Sequence, residues 1–213
     1  MDQKDIKAKI LQYLSDIPFL WVLFESVFGA DRQKQILYKS VYKPRYKILD
    51  FGCSVGNTTA AFTDFDYWGY DIDPKCIKYA QKRWERFSNV HFICGDILKK
   101  ELAPESFDFV LFAGTGHHLN DIEIIPIFNE LIRLLKERGE LWFFDITRPN
   151  KNSPLTARIL ARIDRGRYLR TPEEYRKIID ELKFIRVSEE MVFPVRGVLI
   201  QQEDYCFFRL TKI

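Results

Sequence analysis

The stretch DFGCSVGN, residues 50–57, decides the fold of this chain. It continues the apolar run KIL, and its glycines at 52 and 56 let the backbone turn tightly and approach a ligand, because glycine adopts positive φ at no steric cost. Asp50 places an acidic group at the end of the predicted strand. A GxGxxG loop instead rests an anionic pyrophosphate on a helix N-terminus. The acid therefore favours a cofactor that carries positive charge and disfavours a nicotinamide-dependent oxidoreductase.

Apolar runs and amphipathic segments alternate after this loop. The runs are KILDF, DYWGYDI, NVHFIC, FDFVLFAG and ELWFFDI. Such alternation predicts βαβ units, and hence a parallel sheet with helices on both faces. Near the C-terminus, KFIRVSEEMVF and LIQQEDYCFFRLTKI flank PVRG and predict an antiparallel strand pair.

Three helices are predicted from their caps and stops. One covers residues 74–87 after the N-cap candidate Asp73, and a second covers about 122–136. The third starts at Thr171, which forms a capping-box pattern with Glu174.

The length, hydropathy, net charge and cysteine pattern of the chain disfavour several classes of protein. A length of 213 residues favours one domain. We find neither a run of eighteen apolar residues nor a signal-peptide pattern, so we expect a cytoplasmic protein without membrane insertion. A net charge of +3 is too small to indicate nucleic-acid binding, and the four scattered cysteines indicate neither a metal site nor disulfides.

Acidic residues also end two later predicted strands. Asp71 lies nineteen residues beyond Gly52, close to the separation of about 20 at which an acid receives ribose hydroxyls. Asp73 competes for this role, but Pro74 favours Asp73 as a helix cap. Asp96 is either an acceptor for an adenine amino group or a cap for a short helix after it.

Together these motifs resemble the class I S-adenosylmethionine-dependent methyltransferases. The resemblance lies in ILDFGCSVGN, GYDIDP, FICGDI, FDFVLFAGTGHHL and LLKERGELWFFD, over about residues 46–146. It implies a Rossmann-like α/β fold whose seven-stranded, mostly parallel sheet has its last strand antiparallel beside the fifth. It also implies one methyltransferase domain, with a helical cap in 1–44, a cofactor-binding core in 45–146, and a substrate-side segment and terminal β-hairpin in 147–213.

The resemblance implies S-adenosylmethionine as cofactor and a role for each matching position. Residues 52–56 would line the methionine and ribose portion, Asp50 would lie near the amino group and Asp71 would hold the ribose. Asp96 and Ile97 would frame the adenine, and Phe112 to Gly114 would border the transferred methyl. The implied cofactor-binding set is Asp50, Phe51, Gly52, Cys53, Ser54, Gly56, Asp71, Ile72, Asp96, Ile97, Phe112, Ala113 and Gly114.

The chain departs from the family pattern in two places. Ser54 replaces a usual glycine, and LKERGE, residues 135–140, has one glycine where two are common. The Ser54 side chain either presses toward the ligand and weakens binding or forms a local hydrogen bond. A non-catalytic S-adenosylmethionine-binding relative or an interaction protein therefore stays open as an alternative.

His117 and His118 follow the fourth strand and are the candidate general bases, because imidazole titrates near neutral pH. Structural or pocket-lining roles compete with this interpretation. The strand ends in AGTGHH rather than in an NPPY-type sequence, which favours a small-molecule acceptor methylated at oxygen or carbon over nucleic acid.

Two segments are expected to recognise the acceptor. The sequence leaves open the identity of the acceptor, and it leaves open the oligomeric state as well. Residues 147–171 contain seven Lys or Arg residues and one acid, so they form either a contact for a phosphate, carboxylate or anionic membrane surface or a solvated helix face. The aromatic-rich segment IPFLWVLFESVFG, residues 17–29, is predicted to cap the cofactor cleft and favours a partly apolar acceptor. Burial against the sheet and a membrane-surface helix are its alternatives.

Overall fold

Seven strands form one sheet in the computed structural model, which describes residues 22, 38, 46–163, 166–196 and 201–213. The predicted cap over residues 1–44 otherwise lies outside the described residues. The strands are β1 Lys47–Phe51, β2 Asp66–Asp71, β3 Val90–Cys94, β4 Phe107–Ala113, β5 Leu135–Ile146, β6 Ile185–Arg196 and β7 Gln201–Lys212. The helices are α1 Pro74–Arg83, α2 Asp121–Leu134, α3 Leu155–Ile163 and α4 Pro172–Asp180, with single 3₁₀ turns at Thr58–Ala61 and Gly116–His118.

The strand order is β3-β2-β1-β4-β5-β7-β6. Strands β1 to β5 pair in parallel, and β7 runs antiparallel to both of its neighbours, β5 and β6. This topology confirms the expected fold, including the antiparallel last strand beside the fifth. The order reverses between β1 and β4, and in open sheets of this kind ligands bind where the carboxyl ends of such strands meet.

Predicted caps set the starts of the helices. The Asp73 carboxylate accepts the Lys75 N–H at the start of α1, and Thr171 forms a reciprocal capping box with Glu174 at the start of α4. Helix α1 ends at Arg83, before the predicted residue 87. None of the described helices has the length and apolar character needed to cross a membrane.

Aromatic side chains fill the core on both faces of the sheet. On one face, Phe143 of β5 lies edge-on to Phe112 of β4 and to Tyr175 of α4, with ring centroids 5.1 and 5.0 Å apart. On the other face, Phe109 and Trp142 pack edge-on at 5.4 Å. Because each buried aromatic side chain contributes roughly 1.5–3 kcal/mol, these rows fix β4 against β5. The carboxyl ends of these two strands are consequently held in one place.

Candidate active site

The loop after β1 is a tight turn of left-handed residues. Gly52 and Gly56 have φ of +79° and +73°, and Ser54 between them has φ of +47°. A non-glycine residue in this region carries about 1–2 kcal/mol of strain. Ser54 therefore adopts the left-handed conformation, which explains why the family usually has glycine at this position. Arg138, in the second departure from the family pattern, is likewise left-handed, with φ of +60°.

Gly52 also allows two loops to touch. A Cβ placed at this position would overlap Oγ1 of Thr115, which follows β4. The Gly52 N–H donates to the Tyr70 carbonyl at 2.8 Å, so the loop is tied to β2 as well. Glycine at position 52 thus brings the ends of β1, β2 and β4 together.

Asp71, at the end of β2, holds this loop in shape. Its Oδ2 accepts the Ser54 N–H at 2.8 Å, and its Oδ1 accepts the Asp73 N–H at 2.9 Å. Burial raises the pKa of the Asp71 carboxyl above the usual value of 3.8, against the opposing effect of the two backbone donors. A carboxylate has about four lone-pair sites, so acceptors remain for ribose hydroxyls.

Several features fit a nucleoside-bearing ligand at this edge. Ile72, next to Asp71, is 71% exposed, so its apolar side chain is accessible to a flat ring. Gly114, with φ of +62°, has open space where a Cβ would point. The Tyr70 hydroxyl is buried and has no hydrogen-bond partner among the described residues, and burial raises its pKa to about 12. The residues present therefore fit S-adenosylmethionine.

Other members of the predicted set lie deeper. Asp50 is 2% exposed and accepts a hydrogen bond from the Tyr67 hydroxyl at 2.5 Å. Four apolar members, Phe51, Cys53, Ile97 and Phe112, are buried as well. Their predicted contacts with the cofactor, including that of Asp50 with the amino group, stay predictions.

Asp96 is engaged by the turn that follows β3. Its Oδ1 accepts the Leu98 N–H at 3.0 Å, and its Oδ2 lies 3.1 Å from Lys99 Nζ. The hydrogen bond from Lys99 lowers the pKa of Asp96. The chain forms a turn here rather than the short helix that the cap interpretation expected.

The two histidines have different environments. His117 is buried, and its Nδ1 lies 2.6 Å from Oδ1 of Asp145, while its backbone N–H donates to Asp145 Oδ2 at 3.0 Å. His118 is exposed, and its ring packs on that of His117 with centroids 4.2 Å apart. A buried carboxylate thus orients the inner ring, and the outer ring is exposed to solvent.

Arg170 joins the substrate-side segment to the histidine turn. Its guanidinium is buried and donates to the carbonyls of Gly116 and Leu119 at 3.1 and 2.7 Å and to the Asp121 carboxylate at 2.7 Å. The Tyr168 N–H adds a bond to the His117 carbonyl at 3.0 Å. This arginine, which the sequence grouped with the basic surface, is therefore a structural anchor.

Comparisons with known proteins give related sequences and a similar fold. Residues 48–139 match the family model of the methyltransferase domain. The chain is 28% identical over 136 residues to an uncharacterized methyltransferase of Anoxybacillus flavithermus, covering 60% of this chain and 64% of the relative. These similarities support assignment to the class I S-adenosylmethionine-dependent methyltransferases.

Two further similarities extend these comparisons. Phosphoethanolamine N-methyltransferase 3 of Arabidopsis thaliana is 27% identical over 172 residues, which cover 78% of this chain and 34% of the plant protein. The chain thus spans between a third and two thirds of the length of these two relatives. The fold is similar to N-methyltransferase NodS of Bradyrhizobium japonicum in complex with S-adenosylhomocysteine, with a TM-score of 0.70, 20% identity, and coverage of 96% of this chain and 97% of NodS.

Sequence reasoning missed three residues that shape the site. Asp145 ends the strand run ELWFFDI, so the rule that directed attention to acids at strand ends applied to it as well. Thr115 and Arg170 carried no such signal. Their roles depend on contacts with Gly52 and with the histidine turn, and those contacts form only on folding.

Replacing Ser54 by glycine tests the strain in the cofactor loop. Because the position is left-handed, Ser54→Gly is expected to raise the free energy of unfolding by roughly 0.5–1 kcal/mol, the relieved strain less the added chain entropy. S-adenosylhomocysteine affinity, measured by calorimetry, should stay unchanged. Arg138→Gly is the matched control, left-handed but outside the cofactor loop. Binding that tightens about tenfold in Ser54→Gly alone would show instead that the serine obstructs the cofactor.

The raised pKa of Asp71 predicts a pH-dependent affinity. The ionised carboxylate is the form that accepts hydroxyl groups, and it is lost as pH falls through a pKa that lies above 3.8. S-adenosylhomocysteine binding is therefore expected to weaken over a pH range that lies above the range in which an ordinary aspartate titrates. Asp71→Asn should bind weakly across this range, and the exposed Asp64→Asn should behave as wild type. If the S-adenosylhomocysteine affinity of Asp71→Asn changes with pH as steeply as that of wild type, another group is responsible for the titration.

Removing Arg170 tests the anchor. Arg170→Gln leaves three backbone carbonyls, those of Gly116, Tyr168 and Leu119, short of a charged donor. We therefore expect a loss of about 2–3 kcal/mol in the free energy of unfolding, measured with urea. Arg176, which pairs with Asp180 and Glu190 on the surface, is the control, and Arg176→Gln should cost less than about 1 kcal/mol. Equal losses in the two variants would contradict the assignment.

Proposed function

We propose that this protein transfers the methyl group of S-adenosylmethionine to a small-molecule acceptor at oxygen or carbon. The observation that carries the proposal is the meeting of three features at one edge of the sheet. These are the left-handed loop 52–56, the carboxylate of Asp71 that braces it, and the histidine turn 116–118. Family membership supports the same cofactor.

The cofactor half of the site consists of polar acceptors and an apolar platform. When bound, S-adenosylmethionine supplies a methyl group on a positively charged sulfur, which is already an activated electrophile. Asp71 accepts the ribose hydroxyls, and exposed Ile72 covers the adenine. The open space beside Gly114 lets the chain approach the reacting group without a side chain in the way. Holding the reactants in line lowers the activation free energy of such a displacement by up to about 7–11 kcal/mol.

His118 is the residue that we propose as general base. A hydroxyl acceptor must lose its proton, and an exposed imidazole near neutral pH takes it up. His117 is too buried to touch an acceptor, so its role is positioning. The hydrogen bond to Asp145 fixes the proton of His117 on Nδ1, and the ring then supports His118 through their tilted ring contact.

The acceptor is a small molecule, anionic or partly apolar, and not nucleic acid. Basic residues of segment 147–171 at this edge support an anionic acceptor. A nitrogen acceptor is a second candidate, because the relative from Arabidopsis thaliana and the structural neighbour NodS are both named as N-methyltransferases. Our cytoplasmic assignment and the single-domain organisation remain predictions.

Histidine variants separate these roles. With a mixture of hydroxylated and aminated metabolites, wild type is expected to release S-adenosylhomocysteine, and His118→Gln should lower its rate about 100-fold or more because base catalysis is lost. Asp145→Asn should also lower the rate of S-adenosylhomocysteine release, and it should shift the dependence of that rate on pH. His91→Gln on β3 is the control and should not change the rate.

The outcome also tests the alternatives. Turnover that His118→Gln leaves unchanged would remove the general base from the proposal and favour an amine acceptor. Binding of S-adenosylhomocysteine without methyl transfer to any mixture would favour the non-catalytic relative. Absence of binding would contradict the cofactor assignment.

A further inference from the structure

A basic groove lies on the substrate-side segment, directly after β5. It has a volume of about 420 Å³ and lies between the turn after β5 and helix α3. Its lining comprises Pro149, Asn150, Lys151, Arg158, Ala161 and Arg162. The lining therefore carries three cations and no carboxylate, at the carboxyl edge of the sheet where the proposed acceptor binds.

The turn that forms one wall is fixed by its own hydrogen bonds. The Asn150 N–H donates to Ser153 Oγ at 2.9 Å, and the Asn152 N–H donates to Asn150 Oδ1 at 2.8 Å. The Arg158 guanidinium donates to the Lys151 carbonyl. These contacts hold Arg158 against the turn that carries Lys151 before any ligand arrives, and such preorganisation lowers the cost of binding.

The charges in the groove are unbalanced within the described residues. Arg158 and Arg162 are four residues apart on α3, where like charges repel and weaken a helix. No described carboxylate pairs with either guanidinium. By contrast, Arg148 and Arg170 of the same segment contact Glu174 and Asp121. Two of the segment's arginines thus serve the fold, while two others face the groove.

We propose that this groove binds a phosphate group of the acceptor. Two guanidinium forks and an ammonium suit a phosphate monoester, which carries nearly two negative charges and three strong acceptor oxygens. The inference rests on the proposed function and specifies the acceptor as a phosphorylated compound. A soluble phosphate ester and a phospholipid headgroup share this chemistry.

Charge removal with a matched control tests the groove. Inorganic phosphate is titrated at low ionic strength into wild type, Arg158→Gln/Arg162→Gln and Lys183→Gln/Arg186→Gln, the last pair being exposed and outside the groove. The first double variant should bind phosphate at least about tenfold more weakly, because charged hydrogen bonds are lost, and the control should bind as wild type. S-adenosylhomocysteine affinity should be equal in all three proteins.

Vesicles of phosphatidylcholine with and without phosphatidic acid distinguish the sources. Arginine-dependent binding to the phosphatidic acid vesicles would identify a lipid headgroup. Arginine-dependent binding of inorganic phosphate alone would identify a soluble ester. Phosphate affinity that is equal in wild type and the Arg158→Gln/Arg162→Gln variant would overturn the inference. The inference would also be overturned if wild type bound S-adenosylhomocysteine but did not bind phosphate. Loss of S-adenosylhomocysteine binding with phosphate binding retained would overturn only the proposed function.

Discussion

The carboxylate of Asp145 constrains the whole acceptor side of the structure. It is fully buried, and it accepts the backbone N–H groups of His117 and Ile146 as well as the Nδ1 proton of His117. A buried carboxylate is costly unless it is paired in this way, so the turn after β4 must lie where it supplies those donors. Gly116 is required for the approach, because a Cβ there would come within 2.6 Å of Asp145 Oδ2.

This turn is shared with the segment that follows β5. Arg170 donates to the carbonyls of the turn, and a β-bridge pairs Arg170 with Thr147. The Arg170 side chain also packs over the ring of Tyr175 in α4. The turn that carries the proposed base and the proposed acceptor-binding segment are consequently linked by hydrogen bonds. Changes in acceptor recognition are therefore expected to affect the position of His118.

The two departures from the family pattern have a common physical explanation. Ser54 and Arg138 both occupy left-handed backbone, the conformation for which glycine is usually selected. Such strain persists only where surrounding contacts fix the backbone. For Ser54 the fixing contact is the hydrogen bond from its N–H to Asp71. The serine is compatible with the loop, which the sequence pattern alone left undecided.

The sequence by itself determined the architecture and the cofactor edge. Strand and helix periodicities, the caps at Asp73 and Thr171, and the acids at strand ends are local signals, and local signals survive without tertiary information. The sequence also indicated that His117 and His118 follow β4, but it made both of them candidate bases without distinguishing them. Only the tertiary structure separated them, because the buried carboxylate of Asp145 lies 28 residues from His117 along the chain. The same reason applies to Arg170, whose partners are up to 54 residues away, so its anchoring role was decided by folding rather than by sequence pattern.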